Sequence, residues 1–233
     1  MTVERDGYQS ISDTIKLVAG TDRDFDFTLA KAAAGLEGAQ AGVEAFNAGR
    51  FQDAAGQFEA AIAQSPSVPA LHVNLAMAYL RLNRLPDAVA SLEKAASLGS
   101  NDPAVQYQLG SAYVDMQEYD KAAAALEKGL AKAPDLGTDV LARQAASTLG
   151  AVYFAQGKVA DAERQFQRVL AASAGDAGAT LGMAKVHFSK GEVDQALKLF
   201  EQVAAQHPGT PEATQAATFI KELRKDPAEG GRP

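Results

Sequence analysis

The 233-residue chain contains no cysteine, which excludes a disulfide framework, a thiolate metal site and a cysteine nucleophile. Basic charge is scarce: 22 Lys and Arg stand against 29 Asp and Glu, giving a net charge of -7 and an isoelectric point near 5.0. Binding to a phosphate backbone requires a basic face, so nucleic acid is not an expected partner. No apolar run approaches the roughly 18 residues of a membrane span. Met1 to Ser10 is polar and lacks the apolar centre of a signal peptide, so a soluble, cytoplasmic protein is the expectation. What is present is 47% hydrophobic and 22% charged residues, enough apolar surface for a folded chain and too little charge bias for a disordered one.

The chain repeats itself. An Ala followed four residues later by a large apolar residue recurs as Ala54/Phe58, Ala88/Leu92, Ala122/Leu126, Ala162/Phe166 and Ala196/Phe200, with spacings of 34, 34, 40 and 34. Twelve residues before each of these alanines stands another small residue: Gly42, Ala76, Gly110, Gly150 and Ala184. Ala41, Leu75, Leu109, Leu149 and Met183 precede them, and Ala45, Tyr79, Tyr113, Tyr153 and His187 follow three positions later. These are the Leu-Gly-x-x-Tyr and Ala-x-x-x-Phe halves of a 34-residue signature, and in them the chain resembles the tetratricopeptide repeat (TPR) family. A closing proline stands at Pro66, Pro134 and Pro208, while the slot that opens the signature holds Gly38, His72, Gln106, Ala146 and Thr180 in place of an aromatic residue.

The pattern has a physical reason. Antiparallel helices approach within about 8 to 10 Å only where the residues at their crossing are small. Each helix pair then needs a turn, and Gly49-Arg50, Asn83-Arg84, Gln117-Glu118, Gly157-Lys158 and Gly191-Glu192 supply candidates. Pro69 and Pro103 suit a first helical turn, where the missing N–H would be unpaired anyway, with a Ser, Asp or Asn ahead of each to cap it. The spacing predicts five repeats at 35–68, 69–102, 103–136, 143–176 and 177–210, with the six residues 137–142 lengthening a helix at its start. The resemblance implies an all-α, right-handed superhelical solenoid of antiparallel helix pairs. Residues 211–225, with Ala216, Phe219, Ile220 and Leu223 on one face, read as a capping helix, and 226–233 as a disordered tail. Residues 1–34 read as a segment with one or two helices, since Tyr8, Ile11, Ile15 and Val18 have helical spacing.

No reactive constellation is visible. His72, His187 and His207 fall in different repeat slots, with no second ligand at metal-binding spacing, and read as structural. The glycines in 35–38 and 175–178 match no phosphate-binding fingerprint. Asp22, Asp24 and Asp26 lack the Gly and later Glu of a calcium hand and read as a solvated linker, with a cation site of an enzyme or regulator as the alternative. Neither a catalytic residue nor a cofactor or metal is expected.

In the family that the chain resembles, the first helix of each pair lines a concave face. One position after the Tyr slot stand Phe46, Leu80, Val114, Phe154 and Phe188, all apolar. Two before it lie Met77, Ser111 and Lys185, and six before it Val73, Tyr107, Ser147 and Leu181. Either the apolar row completes the core of each pair, or it faces outward, offset by about 100° from the Tyr slot, as a peptide-binding groove. The second reading predicts a non-catalytic adaptor or assembly factor for a helical or extended partner segment with apolar anchors. A self-assembling scaffold, similar to some bacterial TPR scaffolds including the magnetosome-associated type, is the alternative, with Tyr8 to Val18 docking into a neighbour's groove. TPR co-chaperones that hold heat-shock protein tails use two Lys, two Asn and one Arg. Here the best frame holds Ala39, Val43, Asn74, Ala104 and Gln108, so those tails are disfavoured partners.

Overall fold

The structure, a computed structural model, describes residues 14–17, 25–28, 36–100, 102–132 and 136–224. They fall into two compact units, Met1–Glu118 and Tyr119–Pro233. The first holds strands β1 (Thr14–Leu17) and β2 (Phe25–Thr28) and helices α1 (Leu36–Asn47), α2 (Phe51–Gln64), α3 (Pro69–Arg81), α4 (Leu85–Ser97) and α5 (Pro103–Asp115). The second holds α6 (Tyr119–Leu130), α7 (Val140–Ala155), α8 (Val159–Ala172), α9 (Ala177–Ser189), α10 (Val193–Gln206) and α11 (Pro211–Leu223). Within each unit every helix packs on the next in sequence, and in the second α9 also touches both α7 and α11. Apart from one hairpin, the described elements are helical, in accord with the all-α expectation.

That hairpin corrects the reading of the N-terminal segment. Where a helix is expected through Ile15, Thr14–Leu17 instead pairs antiparallel with Phe25–Thr28, setting Ile15 opposite Phe27 and Lys16 opposite Asp26. Ile15 and Leu17, like Phe25 and Phe27, alternate with polar residues, which is the period of a strand, and β-branched and aromatic residues favour it. Tyr8, Ile11, Val18, Asp22 and Asp24 lie outside the described residues, as does the tail 226–233.

Close approach between helices depends on the small slot. A Cβ added at Gly42 would stand 2.6 Å from Phe58, and one at Gly150 would stand 2.6 Å from Phe166. Phe166 is gripped from the other side as well, since a Cβ at Gly182 would come within 2.3 Å of its ring. Phe58, Phe166 and Phe200 are all fully buried, so these rings cannot retreat toward solvent. Dense packing of this kind leaves no slack for an added methyl group.

The turns inside the helix pairs share one conformation. Gly49, Asn83, Gln117, Gly157 and Gly191 have φ of 74°, 57°, 60°, 73° and 78°. In each turn that residue and its successor return their N–H groups to carbonyls three and five residues back, as Gly157 does to Phe154 and Lys158 to Tyr153. This arrangement satisfies carbonyls that a helix end would otherwise leave open. Asp102, Asp139, Asp176 and Thr210 cap α5, α7, α9 and α11, whereas α3 is preceded by Val68, which offers no side-chain acceptor. The extra residues 137–142 only partly lengthen a helix: α7 starts at Val140, and the residues before it form a turn held by Arg143, which donates to the carbonyls of Leu136 and Gly137.

A further contact recurs between successive pairs. Tyr79 donates to Glu59, Tyr113 to Glu93 and Tyr153 to Glu127, each at 2.5 Å. Burial, then the hydrogen bond to a carboxylate, pushes Tyr79 and Tyr153 up to about 12 and Tyr113 upward as well. His187 takes this slot in the last repeat and pairs with Glu192 instead.

Two measurements test the packing and the latch. Gly150→Ala should lower stability by up to about 2 kcal/mol, because overpacking costs about 1–3 kcal/mol and helix propensity returns about 1. Gly56→Ala on α2, with nothing within 4 Å, should instead raise stability by up to about 1 kcal/mol in the same urea titration. The phenol pKa values are raised on folding, so the stability they contribute is complete below the free value of 10.0 and is lost as pH rises toward about 12. The melting-temperature gap between the parent and a Tyr79→Phe, Tyr153→Phe variant should therefore be largest below pH ~10 and shrink above it.

Candidate functional site

The second compact unit carries a groove of about 770 Å³ along the side where α7, α9 and α11 meet. The same four slots of two successive repeats build its first two walls. From α7 come Ser147, Ala151, Phe154 and Ala155, and from α9 come Leu181, Lys185, Phe188 and Ser189. Phe166, Gly178 and Gly182 contribute to the lining beside them. The glycines that let the helices approach therefore bring the buried ring of Phe166 up to the floor of the groove.

The third wall is α11, which contributes Glu212, Gln215 and Phe219. Phe219 stacks on the buried Phe200 with ring centroids 4.7 Å apart and an interplanar angle of 4°. On its other side it faces Phe188 at 6.2 Å and 59°. A line of three rings thus runs from the core to the groove, ending in a Phe188 that is 41% exposed. Ala216, Phe219, Ile220 and Leu223 meanwhile cover Leu181, Ala184, Phe200 and Val203, so one helix both closes the core and forms the wall. These α11 residues were not among the sequence candidates. The signal was present, because Glu212, Gln215 and Phe219 lie 34 residues after Gly178, Leu181 and Lys185.

Among the expected groove residues, Ser147, Phe154, Leu181, Lys185 and Phe188 come together here. The others belong to the first unit. Phe46 is buried, its ring edge-on to Phe51 at 5.1 Å, with the guanidinium of Arg81 4.5 Å above Phe51. Core packing, the competing reading, therefore holds at Phe46. Val73, Met77 and Tyr107 are also buried, within runs that leave no side of α3 or α5 bare: Leu71 through Tyr79 and Val105 through Gly110. These four residues are not an open apolar surface. Leu80, Ser111 and Val114 are half-buried.

Among the described residues, Lys185 is the one cation that lines the groove, opposite Glu212 of the third wall. It is half-buried, its ammonium donates to Gln215 Oε1 at 3.0 Å, and it stands 5.9 Å from the centre of the Phe219 ring. Loss of water pulls its pKa below the usual lysine value.

Other polar groups of the described residues have local partners. His72 Nε2 lies 2.9 Å from the carbonyl of Pro66, and Thr180 Oγ1 donates to the carbonyl of Asp176 at 2.7 Å. Two polar residues in the slot that opens the signature thus have local backbone partners. Among the described residues no three His, Asp or Glu side chains group as metal ligands, and no helix is long and apolar enough to cross a membrane.

Three family models described as tetratricopeptide repeat match residues 40–103, 101–174 and 153–218. No curated protein matches the sequence. Among solved structures the chain is similar to the MamA protein, at 22% identity and a TM-score of 0.66 over 74% of this chain and 91% of that one. It is similar to YrrB, described as a TPR protein with an unusual peptide-binding site, at 17% identity and a TM-score of 0.67 over 79% and 92%. A tetratricopeptide repeat protein from Parabacteroides merdae gives 20% identity and a TM-score of 0.71 over 81% and 73%. At these identities the likeness is one of fold. With matches that run from residue 40 to residue 218 and the small-residue packing described above, the chain belongs to the tetratricopeptide repeat family.

Proposed function

We propose that the chain is a non-catalytic protein-interaction module whose α7–α9–α11 groove takes up an apolar segment of another protein. The observation that carries this reading is Phe188, a large aromatic side chain left 41% exposed beside Phe154 and Phe219 in a groove of about 770 Å³. A contiguous concave apolar surface is the usual mark of a binding site. The peptide-binding site described for YrrB, a protein of similar fold, supports the same use. Chaperone tails remain poor candidates, since the groove holds Thr148, Gly178 and Gly182 where a carboxylate clamp needs amides and cations. The scaffold alternative relied on an N-terminal docking helix, and residues 14–17 are a strand.

Three large partner side chains, each worth about 1.5–3 kcal/mol on burial, would supply a gross gain of about 5–9 kcal/mol before association costs. Micromolar affinity follows from that balance. Affinity capture by a Phe154→Ala, Phe188→Ala variant should fall at least about tenfold, while the melting temperature changes little because these rings already meet solvent. Parallel loss of capture and of melting temperature would make both rings packing residues and end this reading.

A further inference from the structure

Lys185 differs from Lys190 and Arg224, two other cations of its unit. Lys190, the residue that caps the end of α9, pairs with Glu163 at 2.6 Å, and Arg224 pairs with Glu201 at 2.5 Å. Lys185 has no carboxylate within ion-pairing distance among the described residues, and its one hydrogen bond goes to a neutral amide. Glu212 shares the groove without reaching it. Burial is the sole cause that lowers its pKa, with no nearby anion opposing the shift. The groove thus keeps a partly dehydrated positive charge without a counter-ion, an arrangement that is costly until an anion arrives.

Position decides what kind of anion. Leu181 lies one turn before Lys185 on α9 and Phe188 about one turn after it, so apolar contacts continue on both sides of the charge. A chain terminus would leave one of those sides empty. We propose that the partner segment carries an internal Asp or Glu, flanked on both sides by large apolar residues, whose carboxylate pairs with the Lys185 ammonium and accepts from the Gln215 amide. The inference rests on the groove reading above and names the chemistry of its ligand. The chain's net charge of -7 adds selectivity, because an acidic segment is repelled by most of the surface and attracted at this point.

The test uses three labelled peptides and fluorescence polarisation with the full chain. From Leu181 to Phe188 the helix rises roughly 10 Å, which an extended peptide spans in about three residues. The first probe is therefore acetyl-Leu-Phe-Ala-Glu-Phe-Leu-amide, the second replaces Glu with Gln, and the third is the Gln peptide with a free C-terminal carboxylate. The Glu peptide should bind about tenfold more tightly than the Gln peptide, as expected for a charge-assisted contact in a partly buried site. The free-terminus peptide should gain nothing. Lys185→Met, which keeps the length of the side chain and relieves a buried charge, should bring the Glu-to-Gln ratio close to one, and Lys185→Arg should preserve it. Equal binding of the Glu and Gln peptides would overturn the inference and leave the groove reading standing. A ratio that survives Lys185→Met, or tighter binding by the free terminus, would likewise overturn it. Absence of binding by all three would remove the groove reading and the inference together.

Discussion

The second compact unit depends on the space that two glycines leave for one phenylalanine. Phe166 on α8 projects between Gly150 of α7 and Gly182 of α9, and a Cβ at either position would stand only 2.6 or 2.3 Å from its ring. Helices brought this close share a continuous core on one side. On the other side they place the residues one position beyond the Tyr slot next to each other. Phe154 and Phe188 line one groove for this reason, since a rotation of about 100° per residue turns them away from the slot that packs. The groove is thus a geometrical consequence of the packing.

The same spacing explains how much could be read from the sequence. A 34-residue period located α7 and α9 and the slots on them, and the residues of those slots do meet. The third wall lies beyond the five repeats, which end at residue 210. Carried on by one more helix, the period leads to Glu212, Gln215 and Phe219. Phe46 occupies the same slot as Phe154 yet is buried, and the difference lies across the turn. Phe51 begins α2 and meets the ring edge-on, whereas Val159 begins α8 in the equivalent place. A slot rule carries no information about such a neighbour. The N-terminal hairpin was missed for another reason: over four residues, helical and alternating patterns of apolar side chains can be satisfied by the same Ile15.

Charge sets the groove apart from a core that merely opens to solvent. An apolar cleft lined only by Phe154, Phe188 and Phe219 would accept many hydrophobic segments with little discrimination. A single ammonium among the rings changes that, since every ligand that fits must either neutralise it or leave it dehydrated and alone. Gln215, reached from α11, holds the ammonium in place and offers a second donor to the same ligand atom. On the proposed reading, the helix that closes the core therefore also helps to choose what binds beside it.

The most direct measurement places a photo-crosslinking phenylalanine analogue at residue 188, with the same group at the exposed Val193 as a control, in cells that express the protein. Val193 is 42% exposed, close to the 41% of Phe188, but opens α10 and does not line the groove. The expected result is a discrete adduct at 188 that is missing at 193 and maps to one apolar segment of a partner. No adduct at 188, or the same adducts at both positions, would contradict a groove built to hold a peptide.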